Sequence, residues 1–205
     1  NKINKAKLHN LEIIKNLEPY KDNYGSSENY GDNINADTEF PMEIIFDGNK
    51  SLPVGAEYYV YNLDSDGKVI TDSKVVKKVE LISEVIAGVT TNRAVIKIKN
   101  GQKAVIKGVL EDTTFGVREI FDAGADGYTV TYTTETSTNF DGTCTVGANG
   151  VDGKMSSKDS SAATVTITVK NSRKGTNVKI NVKKIFKNAE KFSGTPNLTF
   201  AVYMV

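Results

Sequence analysis

Apolar and polar residues alternate along much of this chain, and in three runs the apolar series ends on a polar side chain. These are Lys15 in Leu11-x-Ile13-x-Lys15, Glu119 in Phe115-x-Val117-x-Glu119 and Asn171 in Val165-x-Ile167-x-Val169-x-Asn171. Side chains two residues apart share one face of a strand, so all three polar groups point into the apolar layer. A lone buried Lys, Glu or Asn is costly unless it is satisfied. The economical arrangement has the three meeting one another, in a contact that is chemical as well as electrostatic.

The remaining pattern is all-β. Residues 8–17 read as a strand, 19–38 as a polar loop, and Phe40-x-Met42-x-Ile44-x-Phe46 as a second strand. Asp47-Gly48 and Asp66-Gly67 are hairpin-type turns flanking a strand around 56–63. Further strands are expected near 69–71, 75–82, 93–99, 103–107, 115–120, 128–134 and 163–171. A weak helical period at 79–87 is overruled by β-branched residues. The Gly-, Ser-, Thr- and Asp-rich stretch 136–163 reads as an exposed excursion before the last strand. Short strands with this turn chemistry predict an antiparallel β-sandwich of immunoglobulin-like size.

Composition narrows the function. Among 205 residues, 26 basic and 25 acidic side chains leave a net charge of +1, spread without a basic stripe for nucleic acid. No apolar run is long enough to insert into a bilayer. The single cysteine, Cys144, excludes an intrachain disulfide, so a β-rich extracellular chain would need another staple. The single histidine, His9, excludes His-based metal clusters and a Ser/His/Asp arrangement, and no glycine-rich phosphate cradle is present. No cofactor and no metal are expected. Asp64-Ser65-Asp66-Gly67 and the pair Asp122 and Asp126 lack EF-hand spacing and read as turns.

The opening pattern recurs. Ile180-x-Val182-x-Lys184-x-Phe186, followed by Leu198-x-Phe200-x-Val202, copies Leu11-x-Ile13-x-Lys15-x-Leu17 and Phe40-x-Met42-x-Ile44. This predicts one sandwich over 1–174 and the start of a second, incomplete domain of the same type over 175–205. Two strands do not make a stable sandwich, so further residues or another copy would complete it. The alternative is that 176–205 folds back onto the first domain as extra strands.

In order along the chain stand Leu-x-Ile-x-Lys, Phe-x-Met-x-Ile, Gly101-Gln102 with Val105-Ile106, Phe115-Gly116-Val117-Arg118-Glu119, Asp126-Gly127-Tyr128-Thr129-Val130 and Thr166-Ile167-Thr168-Val169-Lys170-Asn171. This ordered set, over roughly residues 8–174, resembles the Cna B-type domains of Gram-positive sortase-assembled pilins and surface adhesins, in particular the T-antigen-like major pilins. The resemblance implies a Cna B-type sandwich in an extracellular, cell-wall-anchored protein that is not an enzyme. Its implied partners are other pilin or adhesin subunits and sortase. It also implies a spontaneous isopeptide bond between Lys15 and Asn171, assisted by Glu119.

The chemistry suits these residue types. Burial lowers a lysine pKa and raises that of a carboxylic acid, so a dry core favours a neutral amine beside a neutral acid. The first is a nucleophile, and the second can polarise the Asn171 amide and carry protons to departing ammonia. The other reading of the same residues is a buried Lys–Glu ion pair capped by Asn, with no covalent bond.

Other positions carry weaker expectations. The resemblance makes Lys158 a candidate sortase acceptor, set against an ordinary solvated lysine. Lys184 matches Lys15 as a cross-link lysine of the second unit. Cys144 reads as a small buried or half-buried thiol rather than a thioester partner of Gln102. Two functions stay open: a structural pilus or stalk module, and a ligand-binding adhesin module that contacts a host protein or glycan through 19–38 and 136–163.

Overall fold

In the computed structural model, described over residues 6–18, 20–21, 28–29, 34–48, 50–86, 88–120 and 127–173, strands form wherever the two-residue period is strongest. They are β1 (Leu8–Glu18), β2 (Tyr20–Lys21), β3 (Glu28–Asn29), β4 (Glu39–Phe46), β5 (Lys50–Ser51), β6 (Glu57–Asn62), β7 (Val75–Lys78) and β8 (Glu80–Ile86). There follow β9 (Val89–Lys99), β10 (Gln102–Leu110), β11 (Thr114–Glu119), β12 (Tyr128–Thr136), β13 (Thr143–Gly147), β14 (Gly150–Lys154) and β15 (Thr164–Arg173). One sheet has the order β12-β15-β1-β10-β6-β7, and the other β13-β14-β11-β4-β9-β8, with β5 beside β4. The inner faces meet in one apolar layer that includes Leu11, Ile13, Phe40, Met42, Ile96, Ile98, Val117, Ile167 and Val169, each at most 1% exposed. The described residues form an all-β sandwich.

Three details position the site. Among the described residues every strand pair is antiparallel except one: β1 and β15 run parallel, with Lys15 opposite Val169 and Leu17 opposite Asn171. The antiparallel sandwich expected from the sequence is what forms, with one parallel pair at the junction of first and last strands. The β7–β8 run changes sheets at Val79, which is 2% exposed and bonded through its N–H to Ala56 O. Near its start β1 slips register against β10, where Gly108, at φ 82°, forms a bulge.

The stretch 136–163, expected as an exposed excursion, is exposed over much of its length yet folded. It contains the β13–β14 hairpin, which extends the second sheet beyond β11 and buries Val151 and Met155 completely. Within 19–38, the two-residue strands β2 and β3 pair and Ile34 is buried. Residues 69–71 form no strand; Val69 makes a single bridge to Leu63 and a 3₁₀ turn follows at Thr71–Ser73. The chain divides into two units, Asn1–Gly175 and Thr176–Val205. The expected second domain, and Lys184 with it, lies outside the described residues.

Candidate functional site: a buried lysine, glutamate and asparagine

Lys15 and Asn171 come from the neighbouring parallel strands β1 and β15, and Glu119 comes from the last position of β11 in the opposite sheet. In each case the inward-pointing series of its strand delivers the polar side chain into the core. Lys15 Nζ donates to Glu119 Oε2 at 2.7 Å, and Asn171 Nδ2 donates to Glu119 Oε1, also at 2.7 Å. The Lys15 and Glu119 side chains are 0% exposed, as is Asn171. The carboxylate thus bridges the two residues of the first sheet.

Burial draws the Lys15 pKa from 10.5 down to about 8, although the charge and hydrogen bond of Glu119 pull the other way. The ammonium also lies over the Phe40 ring, 4.3 Å from its centre. Asn171 Oδ1 has no hydrogen-bond partner among the described residues. The site therefore holds an amine that deprotonates more readily than usual and an amide carbonyl open to a donor. A cleft of about 440 Å³ lined by Glu119, Ile120, Val130 and Tyr132 adjoins the cluster.

Neighbouring groups hold the frame. Gly101 N donates to Lys15 O at 2.9 Å, and Leu17 N donates to Asn100 Oδ1 at 2.7 Å, so the β9–β10 turn clamps β1 on both sides of Asn16. Tyr132, on β12, accepts from Glu119 N at 3.1 Å through its hydroxyl. Asn100 and Tyr132 were not anticipated from the sequence. A tyrosine in the inward series Tyr128-x-Val130-x-Tyr132 is itself a usable signal, because a buried phenol needs a polar partner.

The other candidates lie apart. Lys158 is exposed, between β14 and β15, and its N–H donates to Asn139 O. Cys144 is half-buried on β13, where burial pushes its thiol pKa up. Gln102 belongs to the other sheet and is bonded to Lys99 N and to Asn62 Oδ1. His9 is fully buried, accepting at Nδ1 from Ala163 N and donating from Nε2 to Glu111. Asp64 closes its own turn by accepting from Asp66 N and Lys68 N, while Asp122 and Asp126 lie outside the described residues. Among the described residues no group of three His, Cys, Asp or Glu is placed to hold a metal.

Fold and site define a class: an all-β sandwich whose core encloses an amine, a carboxylate and an amide contributed by three strands. The chain belongs to the family described as a domain of unknown function, DUF7601, whose model matches residues 9–173. No curated protein sequence matches it. Among solved structures it is similar to the major pilin from Streptococcus pyogenes, at 13% identity and a TM-score of 0.44, over 82% of this chain and 48% of that one. It is similar to the T3.2 major pilin protein of the same organism at 17% identity and a TM-score of 0.42, over 81% and 45%. A Mobiluncus mulieris adhesin containing intramolecular disulfide, isopeptide and ester bond cross-links is 11% identical with a TM-score of 0.43, over 80% and 40%. The chain spans less than half the length of each of these proteins.

Proposed function

We propose that this chain is a structural subunit or stalk domain of a Gram-positive surface pilus or adhesin, fastened internally by a spontaneous Lys15–Asn171 isopeptide bond. The observation that carries the reading is the fully buried contact in which one carboxylate, Glu119, accepts from both the lysine and the asparagine at 2.7 Å. The ordered motifs shared with Cna B-type and T-antigen-like pilins support it from the sequence.

The step balances with these three groups alone. A proton moves from Lys15 Nζ to Glu119, leaving a neutral amine and a neutral acid. The acid donates to Asn171 Oδ1, which takes only a turn of the amide, and the amine attacks Cγ. The Nζ–Cγ bond forms, the Cγ–Nδ2 bond breaks, and Glu119 relays a proton from Nζ to the departing nitrogen, which leaves as ammonia. The proton first taken from Lys15 remains on Glu119 or departs with the ammonia as ammonium. The reaction occurs once per chain, so the result is a staple rather than turnover. In this reading the protein lies outside the cell, anchored to the wall, with other subunits and sortase as partners and exposed Lys158 as a candidate acceptor.

The test is the intact mass of the purified chain beside that of Glu119→Ala. The parent should be lighter than its sequence by one ammonia and the variant should not. A parent at full mass would reduce the cluster to a buried ion pair capped by an amide.

A further inference from the structure

Lys15 and Asn171 sit on adjacent strands of one sheet, so their mutual position is fixed by backbone pairing. Glu119 is different, because it reaches them across the sandwich from the other sheet, about 10 Å away in backbone terms. It is also the last residue of β11, and pairing with β14 has already stopped at Val117 and Val151. The next N–H, that of Ile120, goes to Pro41 O on β4. Successive N–H groups of a strand point to opposite sides, so Glu119 N–H points to the side where β14 has ended. Its partner there is the Tyr132 hydroxyl, at 3.1 Å, from a residue that is 7% exposed. Tyr132 stands on β12 opposite Val169 of β15, while Val130 stands opposite Asn171. One hydrogen bond therefore ties the backbone of the proton carrier to the strand beside the acceptor amide.

We propose that Tyr132 is a positioning residue for cross-link formation: its hydroxyl holds the end of β11, and so the Glu119 carboxylate, at the height at which it reaches Lys15 and Asn171 together. The inference rests on the isopeptide reading above and adds the group that sets its inter-sheet geometry. Displacements of about an ångström among reacting groups are enough to slow a preorganised reaction severely.

The fold contains its own control. Tyr58, on β6 of the first sheet, makes the same kind of bond to the second, accepting from Lys97 N at 2.9 Å and donating to Lys97 O at 3.2 Å, with no reacting group attached to either end. A merely structural role would make Tyr132→Phe and Tyr58→Phe alike.

The experiment follows the intact mass of the full chain with time after cell-free synthesis, for the parent, Tyr132→Phe, Tyr58→Phe and Glu119→Ala. Ammonia loss should be about tenfold slower in Tyr132→Phe than in the parent, on the scale of one lost hydrogen bond, and unchanged in Tyr58→Phe. A second measurement uses the Asn171→Ala chain, which cannot link. There Tyr132→Phe should speed amide exchange at Glu119 about tenfold and Tyr58→Phe should not. Linking at the parental rate in Tyr132→Phe, or equal slowing in both tyrosine variants, overturns the positioning role. A parent that never loses ammonia overturns the isopeptide reading and this inference with it.

Discussion

On folding, Lys15 loses its water and regains one carboxylate and the face of Phe40. Desolvation outweighs that compensation, which is why its pKa falls to about 8 rather than rising beside an acid. The consequence for stability has a definite sign in a chain that cannot link. Between about 8 and 10.5 the unfolded state holds more protons on this lysine than the folded state does, so stability rises with pH through that window. Below about 8 the cost of the buried charge is fully present. For Asn171→Ala, urea titrations at about pH 7.5 and about pH 9.5 should differ by about 2 kcal/mol in favour of the higher pH. Adding Lys15→Met should abolish the difference. A gain that survives in the double variant would belong to another group.

At the scale of elements, the strands that were legible in the sequence are those whose inward positions carry large apolar residues. β1, β4, β11 and β15 fall where Leu11, Phe40, Phe115 and Val165 begin their alternating series. The β13–β14 hairpin was not legible, for a physical reason. Its inward series contains Gly153, where an added Cβ would come within 2.4 Å of Phe115 Cζ, so a glycine that reads as loop is needed for Phe115 to pack over the strand. The turn after Asn62 erred in the opposite direction, since the β-branched Val69, Ile70 and Thr71 look like a strand but only Val69 pairs, in one bridge. Of the site, the three buried polar side chains were legible because each interrupts an apolar series. For Tyr132 the sequence signals a buried phenol in need of a polar partner, but not which one, because that partner is a backbone N–H at a strand end. The hairpin carries a prediction of its own. Met155, just past β14 and 0% exposed, is core, so Met155→Ala should cost about 2 to 5 kcal/mol in urea unfolding. A loss within about 0.5 kcal/mol, as at an ordinary surface position, would put the segment outside the core.

For the whole molecule, the parallel pairing of β1 and β15 decides what a staple does under load. Both strands run in one direction, so tension applied before Leu8 and after Arg173 pulls them past each other in shear. Without a covalent link, resistance ends when that pairing and the β1–β10 pairing fail, and the chain between them can then be drawn out. With a Lys15–Asn171 bond, tension crosses from β1 through the two side chains into β15 and leaves the chain between them unloaded. The same bond closes that stretch into a ring, which on the chain-entropy account stabilises by about 5 kcal/mol. Two consequences separate a staple from an ion pair. The Asn171→Ala chain should unfold at markedly lower urea concentration than the parent while keeping the Lys15–Glu119 contact. Held by its ends in a single-molecule pulling experiment, it should release an extension on the order of 500 Å that the parent does not show. Extension of that size in the parent as well would mean that no covalent bypass exists, and that the sandwich bears load through hydrogen bonds and packing alone.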